Sequence, residues 1–161
     1  SRQVADLAVK LAQRKPELAI DLDFLREAAM LHDIGIFRTD APGIYCHGEL
    51  PYLQHGVEGK KILMSLGLPR HALVCERHIG AGLTAQEIID QKLPLEPRDM
   101  LPETLEEKLV TYADNFYSKS HIDKAKPLQK VLKSMAKYGE GTLQRMNDMV
   151  ALFGSPDGLD Q

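Results

Sequence analysis

The sequence predicts an all-α protein. Apolar residues recur at helical spacing in one segment after another, and the segment ends fall on capping residues, prolines and glycines. No segment alternates apolar and polar residues in the way a half-buried strand does. The pattern implies about seven to nine helices and no sheet of consequence.

Taken in order, Val4, Leu7, Ala8, Leu11 and Ala12 mark one face of a helix over 3–14, stopped by Pro16. Asp23 is placed to cap a second helix over 24–33, with Leu25, Ala28, Ala29 and His32 on one stripe and Gly35 positioned to end it. Residues 38–52 carry Pro42, Gly43, Gly48 and Pro51 and read as a long loop, a length often tied to function. A third helix covers 54–66, closed by Gly67, and Pro69 separates it from a fourth over 70–78. Gly80 and Gly82 break the chain. Thr84 to Glu87 and Thr104 to Glu107 fit the capping box, opening helices over 84–91 and 104–118, with the proline-rich stretch 94–102 as connector. The second of these turns Leu105, Leu109, Tyr112, Ala113 and Phe116 inward. Pro127 suits the first turn of a helix carrying Leu128, Val131, Leu132 and Met135. A last helix carries Leu143, Met146, Val150 and Phe153 before Gly154. Residues 1–154 thus form one domain, and 155–161 are expected to fray.

Bulk properties narrow the function. With 161 residues, 43% of them hydrophobic, the chain has the size and apolar content of a single domain. There is no run of about 18 apolar residues to span a membrane. A net charge of −3, with 20 scattered lysines and arginines, argues against tracking a nucleic-acid polymer, although a nucleotide-sized partner needs few cations. Cys46 and Cys75 stand alone, which fits a reduced, cytoplasmic protein, and Cys75 in Ala72-Leu73-Val74-Cys75 reads as a buried small hydrophobe. The start at Ser1 has no initiator methionine or signal pattern and reads as the interior of a longer chain.

The chemistry centres on His32-Asp33, at the end of the apolar run Ala28-Ala29-Met30-Leu31. Burying an imidazole beside a carboxylate is costly unless something satisfies both. A bound cation does so; alternatively His32 caps the helix end and Asp33 stays in water. His55 near the start of the third helix, His78 at the end of the fourth, and Asp114 in Tyr112-Ala113-Asp114-Asn115 supply further potential ligands. Each alone is as readily structural or superficial. Together they fit the way helical bundles build metal sites, from histidines and carboxylates projecting inward off facing helices.

The order His-Asp, His, His, Asp along helices resembles the HD superfamily of metal-dependent phosphohydrolases. Ala29-Met30-Leu31-His32-Asp33-Ile34-Gly35 is similar to its H-D-I-G variant. Residues 77–82 and 104–114 resemble a group of small stand-alone HD proteins, and the likeness runs from about Ser1 to Tyr117. The resemblance implies an HD-domain helical bundle with one or two divalent ions between its central helices. One ion would take His32, Asp33 and Asp114, and a second would take His55 and His78, with Asp33 bridging. It also implies an earlier histidine, just ahead of a stretch like Ser1-Arg2-Gln3-Val4-Ala5, so a histidine is expected immediately before Ser1, in a longer chain that binds metal more tightly. Oxygen and imidazole donors suit iron, manganese, zinc or nickel.

On this footing the expected activity is hydrolysis of a small phosphate ester, a nucleotide or dinucleotide among the candidates, by metal-activated water. Asp33 would touch both ions. Lys61 and Arg77, with Arg38 and Lys119 behind them, are candidates to hold the phosphate, and His47 in the long loop could protonate the leaving group. The plainer reading of each is a solvated surface group. His71 and His121 read as surface residues, and Gly80-Ala81-Gly82 as a turn rather than a phosphate cradle. Two rivals remain open: a di-iron oxygenase on the same scaffold, which requires redox-active iron, and a non-catalytic sensor that binds a nucleotide or metal without turnover.

Overall fold

The computed structural model describes residues 1–121 and 124–159; the last two residues of the tail, Asp160 and Gln161, lie outside the described residues. Among those described there are eight α-helices: α1 Arg2–Gln13, α2 Leu22–Leu31, α3 His55–Ser65, α4 Pro69–Arg77, α5 Ala85–Asp90, α6 Leu105–Asp114, α7 Leu128–Ala136 and α8 Glu140–Phe153. The protein is all-α. The sheet content is one antiparallel pair, β1 Asp40–Ala41 and β2 Cys46–His47, inside the long loop. No helix among the described residues is long and apolar enough to cross a membrane.

The core forms where the apolar faces meet. The buried face of α1, Leu7, Ala8 and Leu11 among others, packs against Leu25, Ala28 and Ala29 of α2 and against Leu109 and Tyr112 of α6, with Met146 and Phe153 of α8 closing the cluster. Full burial of each large aliphatic side chain contributes about 1.5–3 kcal/mol, so this cluster dominates the fold's stability. A smaller cluster of Leu63, Ala72 and Cys75 joins α3 to α4, and Cys75 is buried as expected. A third, Leu83, Ile88 and Met100, sits under α5, where the Leu83 and Met100 backbones exchange two hydrogen bonds of 3.0 and 2.7 Å.

Both capping boxes form, with Thr84 and Thr104 accepting from the amides of Glu87 and Glu107 and those glutamates reaching back. Other boundaries differ from expectation, each for a local reason. The cap of α2 is Asp21 rather than Asp23, its carboxylate accepting from Phe24 N at 3.0 Å. α2 ends at Leu31, and Gly35 does not cap it. A Cβ at Gly35 would lie 2.3 Å from Gly59 N and His55 O, so the glycine is there because α3 passes directly over it. α6 stops at Asp114 rather than near 118. The Asn115 side chain donates to Thr111 O, the acceptor that a continuing helix needs for the Asn115 amide, and that amide turns to Tyr112 O instead.

The segment after α8, expected to fray, runs back over α1 as far as it is described. Arg14 donates to Ser155 O at 3.1 Å, Asp157 accepts from Leu128 N at 2.9 Å, and Leu159 packs on the main core.

Candidate metal centre

Three helix ends converge on one point. His32 is the C-cap of α2, His78 is the C-cap of α4, and His55 opens α3. All three are buried. α3 and α4 approach closely because Gly56 has no side chain: a Cβ there would meet Cys75 O at 2.6 Å. That contact brings His55 Nε2 within 3.1 Å of His78 Nε2.

The three imidazoles share one hydrogen-bonding pattern. His32 Nδ1 donates to Ala29 O at 2.5 Å, His55 Nδ1 to Tyr52 O at 2.7 Å and His78 Nδ1 to Cys75 O at 2.7 Å, each three residues back along its own chain. A carbonyl can only accept, so every Nδ1 carries the proton and every neutral ring presents a bare Nε2 to the centre. Metal-ligating histidines are oriented this way, with the second ring nitrogen donating to a carbonyl that fixes the tautomer.

The carboxylates complete the cluster. Asp33 Oδ2 lies 3.2 Å from His32 Nε2, and its Oδ1 lies 3.4 and 3.5 Å from the Nε2 atoms of His55 and His78. Asp114 Oδ1 lies 3.1 Å from His32 Nε2. Asp33 Oδ1 is buried and has no hydrogen-bond partner. Two sets of donor atoms could each hold an ion: His32, His78 and Asp114, and Asp33, His55 and His78, the atoms of each set lying within 4.8 Å of one another. His78 belongs to both, whereas the resemblance implied His32, Asp33 and Asp114 for the first ion. The donor set fits a divalent metal on two counts: bare nitrogens that cannot hydrogen-bond to one another, and a buried carboxylate oxygen without a donor.

Protons substitute for a metal cation only in part. Burial opposes charge on His32, but the Asp114 and Asp33 carboxylates outweigh it and push its pKa up to about 10. Burial also opposes charge on Asp114 and Asp33, yet His32 and His78 hold both low, Asp114 at about 2 and Asp33 well below the usual carboxylate range. His55 is pushed down to about 4, by burial and then by His78 beside it. Among the described residues a lysine also reaches the cluster: Lys119 Nζ lies 3.1 Å from Asp33 Oδ2. Burial lowers its pKa, but Asp114 and Asp33 outweigh that and hold it above the ordinary lysine range.

The structure thus gathers His32, Asp33, His55, His78 and Asp114, but it leaves the other candidates elsewhere. Lys61 and Arg38 both bind Glu58, at 2.6 and 3.0 Å, and this buried glutamate fixes where they point. Arg77 turns away from His78 to Glu107, at 2.6 Å, and Glu103, at 3.5 Å. His47 lies exposed on β2. None of these four lines the two cavities beside the cluster. Lys61 and Arg77, expected to hold the phosphate, thus each have a carboxylate at hand, and His47, expected to protonate the leaving group, lies on the surface away from the cluster. His71 is tied to Glu27 at 2.9 Å, and Gly80 and Gly82, both at positive φ, form a turn.

Lys119, itself among the cations expected for the phosphate, does lie at the cluster, and Lys126 lines the same cavity. One cavity, of about 450 Å³, is of mixed polarity and is walled by Tyr52, Asp114, Asn115, Lys119 and Lys126 among others. The other, of about 280 Å³, is largely apolar and also reaches Tyr52, Asp114, Asn115 and Lys119, together with His55 and His78. Reading a helix through to 118 hid the course of the chain here, which leaves the helix at Asp114 and folds back across the site. Asn115 offered a signal, being a residue that competes with helical backbone bonds.

The family model described as HD domain matches residues 1–118. The uncharacterized protein MJ0778 of Methanocaldococcus jannaschii is 45% identical over 106 residues, 65% of this chain and 55% of that protein. The tRNA (cytidine(56)-2'-O)-methyltransferase of Thermoplasma volcanium is 36% identical over 161 residues, 99% of this chain and 42% of that protein. The protein of the same name from Picrophilus torridus is 36% identical over 121 residues, 74% and 32% respectively. The matched stretch therefore spans between 32% and 55% of these relatives' own length. No solved structure matches the chain.

Proposed function

The chain belongs to the HD-domain family, and from that premise we propose that it is a metal-dependent phosphohydrolase acting on a small phosphate ester. The observation that carries the reading is the convergence of three histidine Nε2 atoms on the Asp33 carboxylate, those of His55 and His78 on the oxygen that has no donor and that of His32 on the other. His55, His78 and Asp33 would hold one divalent ion, and His32, Asp114 and the shared His78 a second. Such ions supply activated water near neutral pH and stabilise charge on phosphoryl oxygens. The chain's own groups do the rest. The backbone carbonyls of Ala29, Tyr52 and Cys75 fix the imidazole tautomers. Asn115, anchored to Gly80 O at 2.8 Å, holds the end of α6 and with it Asp114. Lys119 and Lys126, on the wall of the larger cavity, balance the charge of an incoming phosphate.

Two relatives bear a name that describes methyl transfer to the 2'-oxygen of a tRNA cytidine, and less than half of either is matched by this chain. The proposal rests on the donor set instead, which is that of a metal site.

Metal analysis paired with a phosphate-release screen over mono- and diesters tests it. Release is expected with redox-inert manganese or zinc, which separates hydrolysis from the iron-dependent oxygenase alternative. A fully metallated protein that binds nucleotides and releases nothing would leave the sensor in place of the enzyme.

A further inference from the structure

Beyond the metal centre, the apolar cavity of about 280 Å³ is a built chamber, and its far end is remote from the ligating groups. Its floor is the Gly80–Gly82 turn. The three carbonyls of that turn are already taken: Asn115 donates to Gly80 O at 2.8 Å, and Arg145 to Ala81 O at 3.0 Å and Gly82 O at 3.1 Å. Arg145 is itself locked to Glu87 at 2.8 Å. With its carbonyls already hydrogen-bonded, the turn offers a ligand few free acceptors.

The lining includes Ile79, Leu83, Leu93, Met135 and Tyr138, with the polar Gln91, Ser134 and Thr142 among them. The near end is His55, His78 and Asp114. The volume lies close to the lower bound of the range in which proteins take small organic ligands, about 300 Å³. Among the described residues, Lys119 and Lys126 are the lysines and arginines lining either cavity. That matches one phosphate beside two metal ions better than a polyphosphate chain, whose further charges would need further cations.

We infer that this chamber is the subsite for the organic part of the substrate, and that the substrate is a monophosphate ester of a compact, uncharged, ring-bearing alcohol. The inference rests on the metal-centred reading above and goes further, assigning which substituent lies on which side of the phosphorus. The ring lies between Leu83, Leu93 and Tyr138, the phosphate sits at the histidine cluster, and the larger cavity on the other side admits water.

The test is a binding titration on manganese-loaded protein with 1-naphthyl phosphate, methyl phosphate and inorganic phosphate. Naphthyl phosphate is expected to bind about tenfold or more tighter than methyl phosphate, the difference coming from ring burial in the chamber. Ser134→Phe, which fills the chamber, removes that preference and leaves methyl phosphate affinity and manganese stoichiometry unchanged. Tyr138→Ala, at an exposed position, weakens naphthyl binding alone and serves if the first variant does not fold. Equal affinity for the two esters in the parent protein, or a preference that survives both substitutions, overturns the chamber assignment. Phosphate release is scored separately. Tight naphthyl binding without release removes the hydrolase reading and keeps the chamber, whereas release without ring preference does the reverse.

Discussion

At the scale of single residues, the partner decides the role. Asp33 is the side chain that faces all three imidazoles and a lysine, and one of its oxygens has no donor. Asp33→Ala is expected to lower metal content and to cost more turnover than any other single ligand change, at least about a hundredfold by comparison with losses seen for outer-shell partners. Metal stoichiometry and kcat measured on the same sample check this, and full loading with normal turnover would remove Asp33 from the ligand set. Arg77 is one residue from a proposed ligand but spends its guanidinium on Glu107, which is buried. Arg77→Ala should therefore destabilise the fold by about 1–3 kcal/mol, the cost of stranding a buried acceptor. It should leave KM for a phosphate ester nearly unchanged. Urea denaturation beside steady-state kinetics separates the two; a large rise in KM with unaltered stability would restore Arg77 to the site.

At the scale of elements, the site exists because helix ends are pressed together where side chains are missing. Gly35 lies under α3, with Gly59 N and His55 O where a Cβ would go. Gly35→Ala forces backbone apart, so a loss of about 1–3 kcal/mol or more is expected, as for overpacking generally. Because His55 is carried on the displaced helix, metal affinity should fall as well. Thermal melts with and without manganese would reveal both effects, and a variant as stable and as well metallated as the parent would refute the close-approach argument. This contact also marks the limit of what the sequence discloses. The apolar faces of α1 and α6 and the Thr84 and Thr104 capping boxes are legible, since each depends on spacing along one helix, whereas the His and Asp residues that the structure gathers were singled out by the order of their motifs. Which cations reach the cluster is not, because Glu58 and Glu107 claim Lys61, Arg38 and Arg77 through the rotamers of long side chains. Nor does periodicity reveal that Gly35 packs rather than caps, or that Asn115 ends α6 by taking Thr111 O, since both depend on a neighbouring element or a side-chain choice.

At the scale of the whole molecule, the metal centre and the core are mechanically one. α2, α3, α4 and α6 each carry ligating residues at or next to an end, and α2 and α6 both pack on the central α1. Without a cation, the fold must bury three imidazoles against two half-buried carboxylates, with one carboxylate oxygen left without a hydrogen bond. A divalent ion that binds this arrangement and not the unfolded chain stabilises the native state through mass action, by about 2.7 kcal/mol at a hundredfold excess over Kd. For a chain of this size, each kcal/mol moves Tm by about 2–4 °C, so manganese or zinc should raise Tm by about 5–10 °C over chelator-treated protein. The shift should grow with free metal concentration, as mass action requires, and should be lost in Asp33→Ala, which removes the carboxylate that the imidazoles surround. Surface carboxylates bind ions too, but weakly, and their contribution would survive that substitution. Differential scanning calorimetry across a metal titration distinguishes the cases. A Tm that does not respond to metal, or that responds equally in Asp33→Ala, would mean that the buried cluster is held by protons and Lys119 alone.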